Sequence, residues 1–167
     1  MTTPTSWFSR VLREGSKISL NKPTPSQWVI DKHVNEHSYK TDEKKVDSYA
    51  CAQKEGFMRI YVQVPRTGYD RVDKATLAKE ATQFTPPELI TYQFLTDNRS
   101  RNTPLLLGYK TDTQPTDGPV PGGHVTWIVW EKVPGKCLGD YKSASVYWDM
   151  TPDQRKRVRE SFLREIP

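Results

Sequence analysis

The sequence predicts an α+β domain: a small antiparallel sheet of about five strands, a common size for such sheets, with helices packed mainly on one side. Three observations carry this. Residues 57–64 (FMRIYVQV) alternate, with Met58, Ile60, Val62 and Val64 on one face and Phe57, Arg59, Tyr61 and Gln63 on the other, the period of a half-buried strand. Residues 105–109 and 124–131 are strand-like apolar runs joined by a turn-rich loop with Gln-Pro, Asp-Gly, Gly-Pro and Pro-Gly-Gly, which makes a second antiparallel pair with a long tip. Between the two pairs, Thr85-Pro86-Pro87-Glu88 reads as a helix start. Thr85 is the cap, Pro86 stands where no N–H is needed, and Glu88 closes a T-x-x-E capping box.

The remaining elements follow in chain order. Trp7, Phe8, Val11 and Leu12 share one face of a short helix over 5–14, which Gly15 ends; its expected role is to dock on the domain. Residues 17–20 and 27–31 form two short strands around the loop residues Asn21-Lys22-Pro23-Thr24-Pro25. Residues 32–47 (KHVNEHSYKTDEKKVD) are polar and charged and read as an exposed, partly mobile connection. Residues 48–53 lead through Lys54-Glu55-Gly56 into the alternating strand, which Pro65 stops. A helix over 72–83 presents Leu77, Ala78 and Ala81; the capped helix presents Leu89, Tyr92 and Leu95 or Phe94 and exits at Asp97-Asn98. Thr151-Pro152-Asp153-Gln154 opens a last helix through about Arg164, with Val158, Phe162 and Leu163 inward and Arg155, Lys156, Arg157 and Arg159 toward water. The chain thus divides into an N-terminal helix and extended arm (1–47) and a folded domain (48–167).

Composition narrows the function. Only 35% of the 167 residues are hydrophobic, so five Trp and eight Tyr, with their large buried areas, must anchor the core. Twenty-five bases against twenty acids leave a net charge of +5, but the acids interleave with the bases, which speaks for solubility and against a nucleic-acid module. Two cysteines, Cys51 and Cys137, make no disulfide framework and fit reduced, packed thiols in the cytosol. The first ten residues lack the basic start and apolar stretch of a secretory signal, and no run reaches the length of a membrane span. The expected compartment is the cytosol, with the nucleus as the alternative, and no membrane partner is expected.

The most specific motif is 127–138, WIVWEKVPGKCL. Four apolar residues leave a core through Glu131 into a Val-Pro-Gly turn. Such a connector between two packed bodies leaves backbone donors and acceptors for a ligand. Together with FMRIYVQVP, PPELITYQFLTD, TPLLLGYK and WIVWEKVPGKCLGD, it resembles the small lobe of the protein-kinase-like fold in its aminoglycoside-phosphotransferase branch. With PVPGGH, the composition is most similar to the fungal kinase-like proteins. The resemblance covers roughly 48–165.

It implies a site. A kinase small lobe sets a Lys on its third strand against the nucleotide's phosphates and pairs it with an acid on the following helix. Here Arg59 holds the strand position and Glu88 the helix position, with Glu80 as the alternative acid. The backbone at Glu131, Lys132 and Val133 would meet the base. The departures are substantial: Arg is planar and longer than Lys, and Gly56 is the only glycine between Asp31 and Phe57, where a phosphate-covering turn would need several. No H-x-D followed by a later Asn occurs. The expectation is therefore a non-catalytic, pseudokinase-like or truncated phosphotransferase domain with a vestigial ATP site. It requires no cofactor and no metal, and acts through a protein partner or self-association on the surface a large lobe would cover.

Three other readings were weighed. His33-Val34-Asn35-Glu36-His37 matches the inverted zinc-protease motif, but its flanks offer no apolar face to hold a helix. Arg155–Arg159 (RKRVR) could serve a nucleic-acid-binding or nuclear protein. Residues 141–148 could form an aromatic interaction surface. His124, following two glycines at the start of a strand, reads as structural.

Overall fold

Alternation in one strand organises the whole sheet. In the computed structural model, which describes residues 14–39, 44–51, 56–66, 72–135, 137–139 and 144–165, six strands form one sheet. They are β1 (Lys17–Leu20), β2 (Ser26–Tyr39), β3 (Lys44–Cys51), β4 (Gly56–Gln63), β5 (Leu106–Thr113) and β6 (His124–Glu131). Their spatial order is β1-β2-β3-β4-β6-β5, and every pairing is antiparallel. The four helices are α1 (Lys74–Ala78), α2 (Pro87–Asp97), α3 (Ser145–Trp148) and α4 (Pro152–Glu165). The α+β class holds; the strand count is six rather than about five. The helix expected over 5–14 lies outside the described residues except for Glu14.

Met58, Ile60 and Val62 of β4 are buried as the alternation requires, and Val64 just beyond the strand joins them. They pack with Leu20 of β1, Trp28 and Ile30 of β2, and Val125 and Val129 of β6. The sheet can enclose this core because its two edges meet. Lys22, just after β1, and Tyr109 of β5 exchange two backbone hydrogen bonds of 2.8 and 3.2 Å. The approach is close: a Cβ on Gly108 would stand 2.9 Å from Leu20 Cδ1, which is why β5 carries a glycine there. The opposite face of the sheet is covered by α2, whose Leu89 packs on Leu106 and Ile128 with Tyr61, Tyr92, Tyr109 and Trp130.

Several expectations need correction. Within the polar stretch 32–47, residues 32–39 and 44–47 are not a loose arm: they belong to β2 and β3, which pair from Ile30↔Cys51 to Tyr39↔Lys44 with two register shifts. Backbone pairing carries this ladder, so no apolar periodicity marked it in the sequence. The expected boundary at 47/48 falls inside β3; the chain instead divides into Met1–Lys132 and Val133–Pro167. The helix expected over 72–83 is reduced to α1. Asp73 caps it through the Thr76 N–H (3.0 Å), and 79–82 turn away to bond Gln63.

The second unit holds α3 and α4, and none of its described residues is buried. The start of α4 is as expected: Thr151 N–H donates to Gln154 Oε1 (2.9 Å) and Gln154 N–H to Thr151 Oγ1 (3.3 Å), a reciprocal capping box. Arg159 is exposed, as expected, and Arg155 is half-buried; both also bond within the unit. Arg155 donates to the Trp148 and Met150 carbonyls and lies over the Trp148 ring, and Arg159 donates to the Tyr147 hydroxyl.

Candidate functional site

Arg59 projects from β4 on the face opposite Met58 and Ile60, which turns it toward α2. There its Nη1 meets Glu88 Oε1 at 2.6 Å. The Tyr61 hydroxyl, two residues along the same face, donates to Glu88 Oε2 at 2.5 Å. The guanidinium lies over the Trp130 ring, 5.1 Å from its centre, and Trp130 stacks in turn on Tyr92 at 5.6 Å. Each position has a local reason. Residues i and i+2 share a strand face, Tyr92 is one helical turn from Glu88, and Trp130 sits diagonally across the β4–β6 ladder from Arg59, since Arg59 pairs with Ile128.

The helix start that delivers Glu88 differs from the expected one. Pro86 is the N-cap and Pro87 the first helical residue, and no side chain caps the end. Two consecutive prolines have no N–H to leave unsatisfied, so less capping is needed. Glu88 does not close a box with Thr85, because its carboxylate is engaged by Arg59 and Tyr61.

Charge in the cluster is balanced and fixed. Burial works against the Arg59 cation, but Glu88 and Tyr61 more than offset it and its proton is held more tightly than in free arginine. Burial first, then the bond to and charge of Glu88, push the Tyr61 phenol well above its usual range. Burial, then Glu88, push Tyr92 up to about 12. Because a free phenol titrates near 10, both raised tyrosines contribute stability that is complete below about pH 10 and is lost above it, as pH rises through about 12 for Tyr92 and higher still for Tyr61. The melting temperature is therefore expected to hold through neutral pH and to fall above about pH 10, less steeply in Tyr61→Phe; thermal melts across that range check it. The cluster presents no nucleophile and no group poised as a base. Its chemistry is that of a clamp between strand and helix.

The five expected site residues are placed as follows. Arg59 and Glu88 are together. Glu80 is not part of the pair; its carbonyl accepts from Gln63 Nε2 (2.8 Å). The Glu131 N–H already donates to the Leu105 carbonyl (2.9 Å), so it is not available to a ligand. Lys132 closes the first unit and Val133, 52% exposed, opens the second. Tyr61, Trp130 and Tyr92 were not singled out by sequence reasoning; Tyr61 was visible as a face-mate of Arg59, and the other two only once pairing and helix phase were known.

A second polar cluster holds the long loop. Gln63 Oε1 accepts from the Thr82 N–H (2.9 Å). Gln114 Nε2 donates to the Gln63 and His124 carbonyls (2.8 and 3.3 Å) while its Oε1 accepts from the Val120 N–H (2.9 Å). His124 is 1% exposed, with Nδ1 3.2 Å from the Thr82 carbonyl and its ring against Phe84. A carbonyl only accepts, so Nδ1 carries the proton.

The zinc motif lies in β2, not on a helix. Along a strand the four residues from His33 to His37 span about 13 Å, too far for two ligands of one ion. Among the described residues no group of His, Cys, Asp and Glu could hold a metal, and no helix is long and apolar enough to cross a membrane. Cys137 is exposed and its thiol donates to the Gly139 carbonyl. No family model, no curated protein and no solved structure matches the chain.

Proposed function

We propose that the chain is a kinase-like small lobe that performs no phosphoryl transfer and works through protein contacts, with at most vestigial binding of a nucleotide such as ATP. The observation that carries this reading is the 2.6 Å pair between Arg59 and Glu88. It joins the third strand of the β2–β3–β4 meander to the helix that precedes the β5–β6 pair, where kinases join a strand lysine to a helix glutamate. The place of β6 between β4 and β5 supports it, whereas the additional strand β1 and the joining of the sheet edges at Lys22 and Tyr109 do not.

The same residues argue against catalysis. Arg59 is neutralised by Glu88 and lies over the Trp130 ring, so a phosphate would have to displace established partners. The four residues in sequence between β2 and β3, Lys40-Thr41-Asp42-Glu43, include two acids and no glycine. Cytosolic or nuclear residence is part of the proposal.

Thermal melts with ATP alone and ATP plus Mg²⁺ test it. At nucleotide concentrations near 5 mM, a vestigial site with a Kd of about 1 mM gains about 1 kcal/mol. Mg²⁺ adds nothing, and Arg59→Met abolishes whatever shift is seen. A Mg²⁺-dependent shift corresponding to micromolar affinity would overturn the non-catalytic reading.

A further inference from the structure

We propose that α4 is a self-association element, through which two copies of the chain pair antiparallel. This rests on the reading that the chain acts through protein contacts, and names the partner as a second copy. The second unit cannot satisfy its own apolar side chains: no residue of α3 or α4 is buried, and Phe162 remains 66% exposed.

The pattern along α4 specifies the partner. Arg155, Val158, Phe162 and Glu165 are spaced 3, 4 and 3 residues apart, the spacing of a helix-pairing seam. The seam runs base, apolar, apolar, acid. A parallel pair would set Arg against Arg and Glu against Glu. An antiparallel pair about a two-fold axis sets Val158 against Phe162 of the second copy and Arg155 against Glu165 of the second copy, each contact made twice. Arg155 is suited to this, because both of its hydrogen bonds within the unit come from Nη1 and go to neutral carbonyls, its ring contact is with Trp148, and no acid among the described residues pairs with it.

A nucleic-acid surface fits less well. Arg159 donates to Tyr147 of α3, Lys156 lies 3.9 Å from Glu160, and Asp153 and Glu160 interrupt the remaining bases. The helix is about 21 Å long, so the contact is small and the pair belongs with weak, transient interfaces.

Sedimentation equilibrium of the full chain, from micromolar to near-millimolar concentration and without nucleotide, tests this. The expected result is a reversible dimer that Phe162→Glu and Glu165→Arg each weaken by at least about tenfold. Leu163→Ala, an exposed position off the seam, should leave it within about twofold. Circular dichroism confirms that these surface variants keep their fold. A monomer at every concentration overturns the proposal, as does a dimer insensitive to Phe162→Glu or equally sensitive to Leu163→Ala. Salt-sensitive DNA binding that competes with dimerisation would assign the face to nucleic acid and also overturn it. None of these outcomes bears on the nucleotide melts, so the two readings fail separately.

Discussion

Replacing Glu88 with alanine should lower the unfolding free energy by about 2 kcal/mol, read by urea denaturation. Removing one partner of a fully buried ion pair costs about 3–5 kcal/mol, because the other charge is stranded. Here the Arg59 and Glu88 side chains keep 32% and 22% of their exposure, so water recovers part of that cost. Two groups lose an acceptor at once, Arg59 Nη1 and the Tyr61 hydroxyl, which keeps the loss above that of a surface pair. The double variant Arg59→Met, Glu88→Leu should lose clearly less than the sum of the two single changes, since apolar replacements leave no stranded charge and can pack on Trp130 and Tyr92. Arg59→Lys should fall between: the charge survives, but the planar group stacked on Trp130 does not. If Glu88→Ala proves neutral, the pair is not what holds α2 to the sheet, and the main support for a kinase-like lobe is lost with it.

Legibility in the sequence followed the physics of each element. The strand 57–64 was readable because its two faces meet different surroundings: an aliphatic core on one side, the α2 clamp on the other. The capping box of α4 was readable because Thr151 and Gln154 need only each other. The box at α2 was misread for the same reason turned round: Thr85 and Glu88 have the right spacing, but a distant strand competes for the carboxylate, and local spacing carries no record of that competition. The pairing of 32–39 with 44–49 was hidden because a ladder held by backbone bonds leaves no apolar alternation. The meeting of the sheet edges at Lys22 and Tyr109 could not be read at all. Its only sequence trace is the missing side chain at Gly108. Glu88 itself was found through the family resemblance, whereas Tyr61, Trp130 and Tyr92 complete the cluster through register and helix phase.

Gly123→Ala should be among the most damaging single changes outside the aliphatic core, costing about 3 kcal/mol for the addition of one methyl group. The added Cβ would lie 2.6 Å from Gln63 Oε1, 2.9 Å from the Val120 carbonyl oxygen and 3.1 Å from Gln114 Nε2. None of the three can give way cheaply. Gln63 Oε1 is held by the Thr82 N–H, Gln114 Nε2 by two carbonyls, and the Val120 oxygen is backbone that accepts the Gly123 N–H. Relief of the clash therefore breaks hydrogen bonds among buried polar groups, each of which costs about 1–3 kcal/mol when left unmade. Gly108→Ala supplies the contrast. Its closest contact, Leu20 Cδ1 at 2.9 Å, is the end of an apolar side chain that is buried but holds no hydrogen bond, so the loss should be smaller, about 1–2 kcal/mol. Urea midpoints for the two variants, measured side by side, check the order. A Gly123 variant as stable as the Gly108 variant would mean that the Gln63–Gln114 network yields freely and does not fix the long loop against β4 and β6.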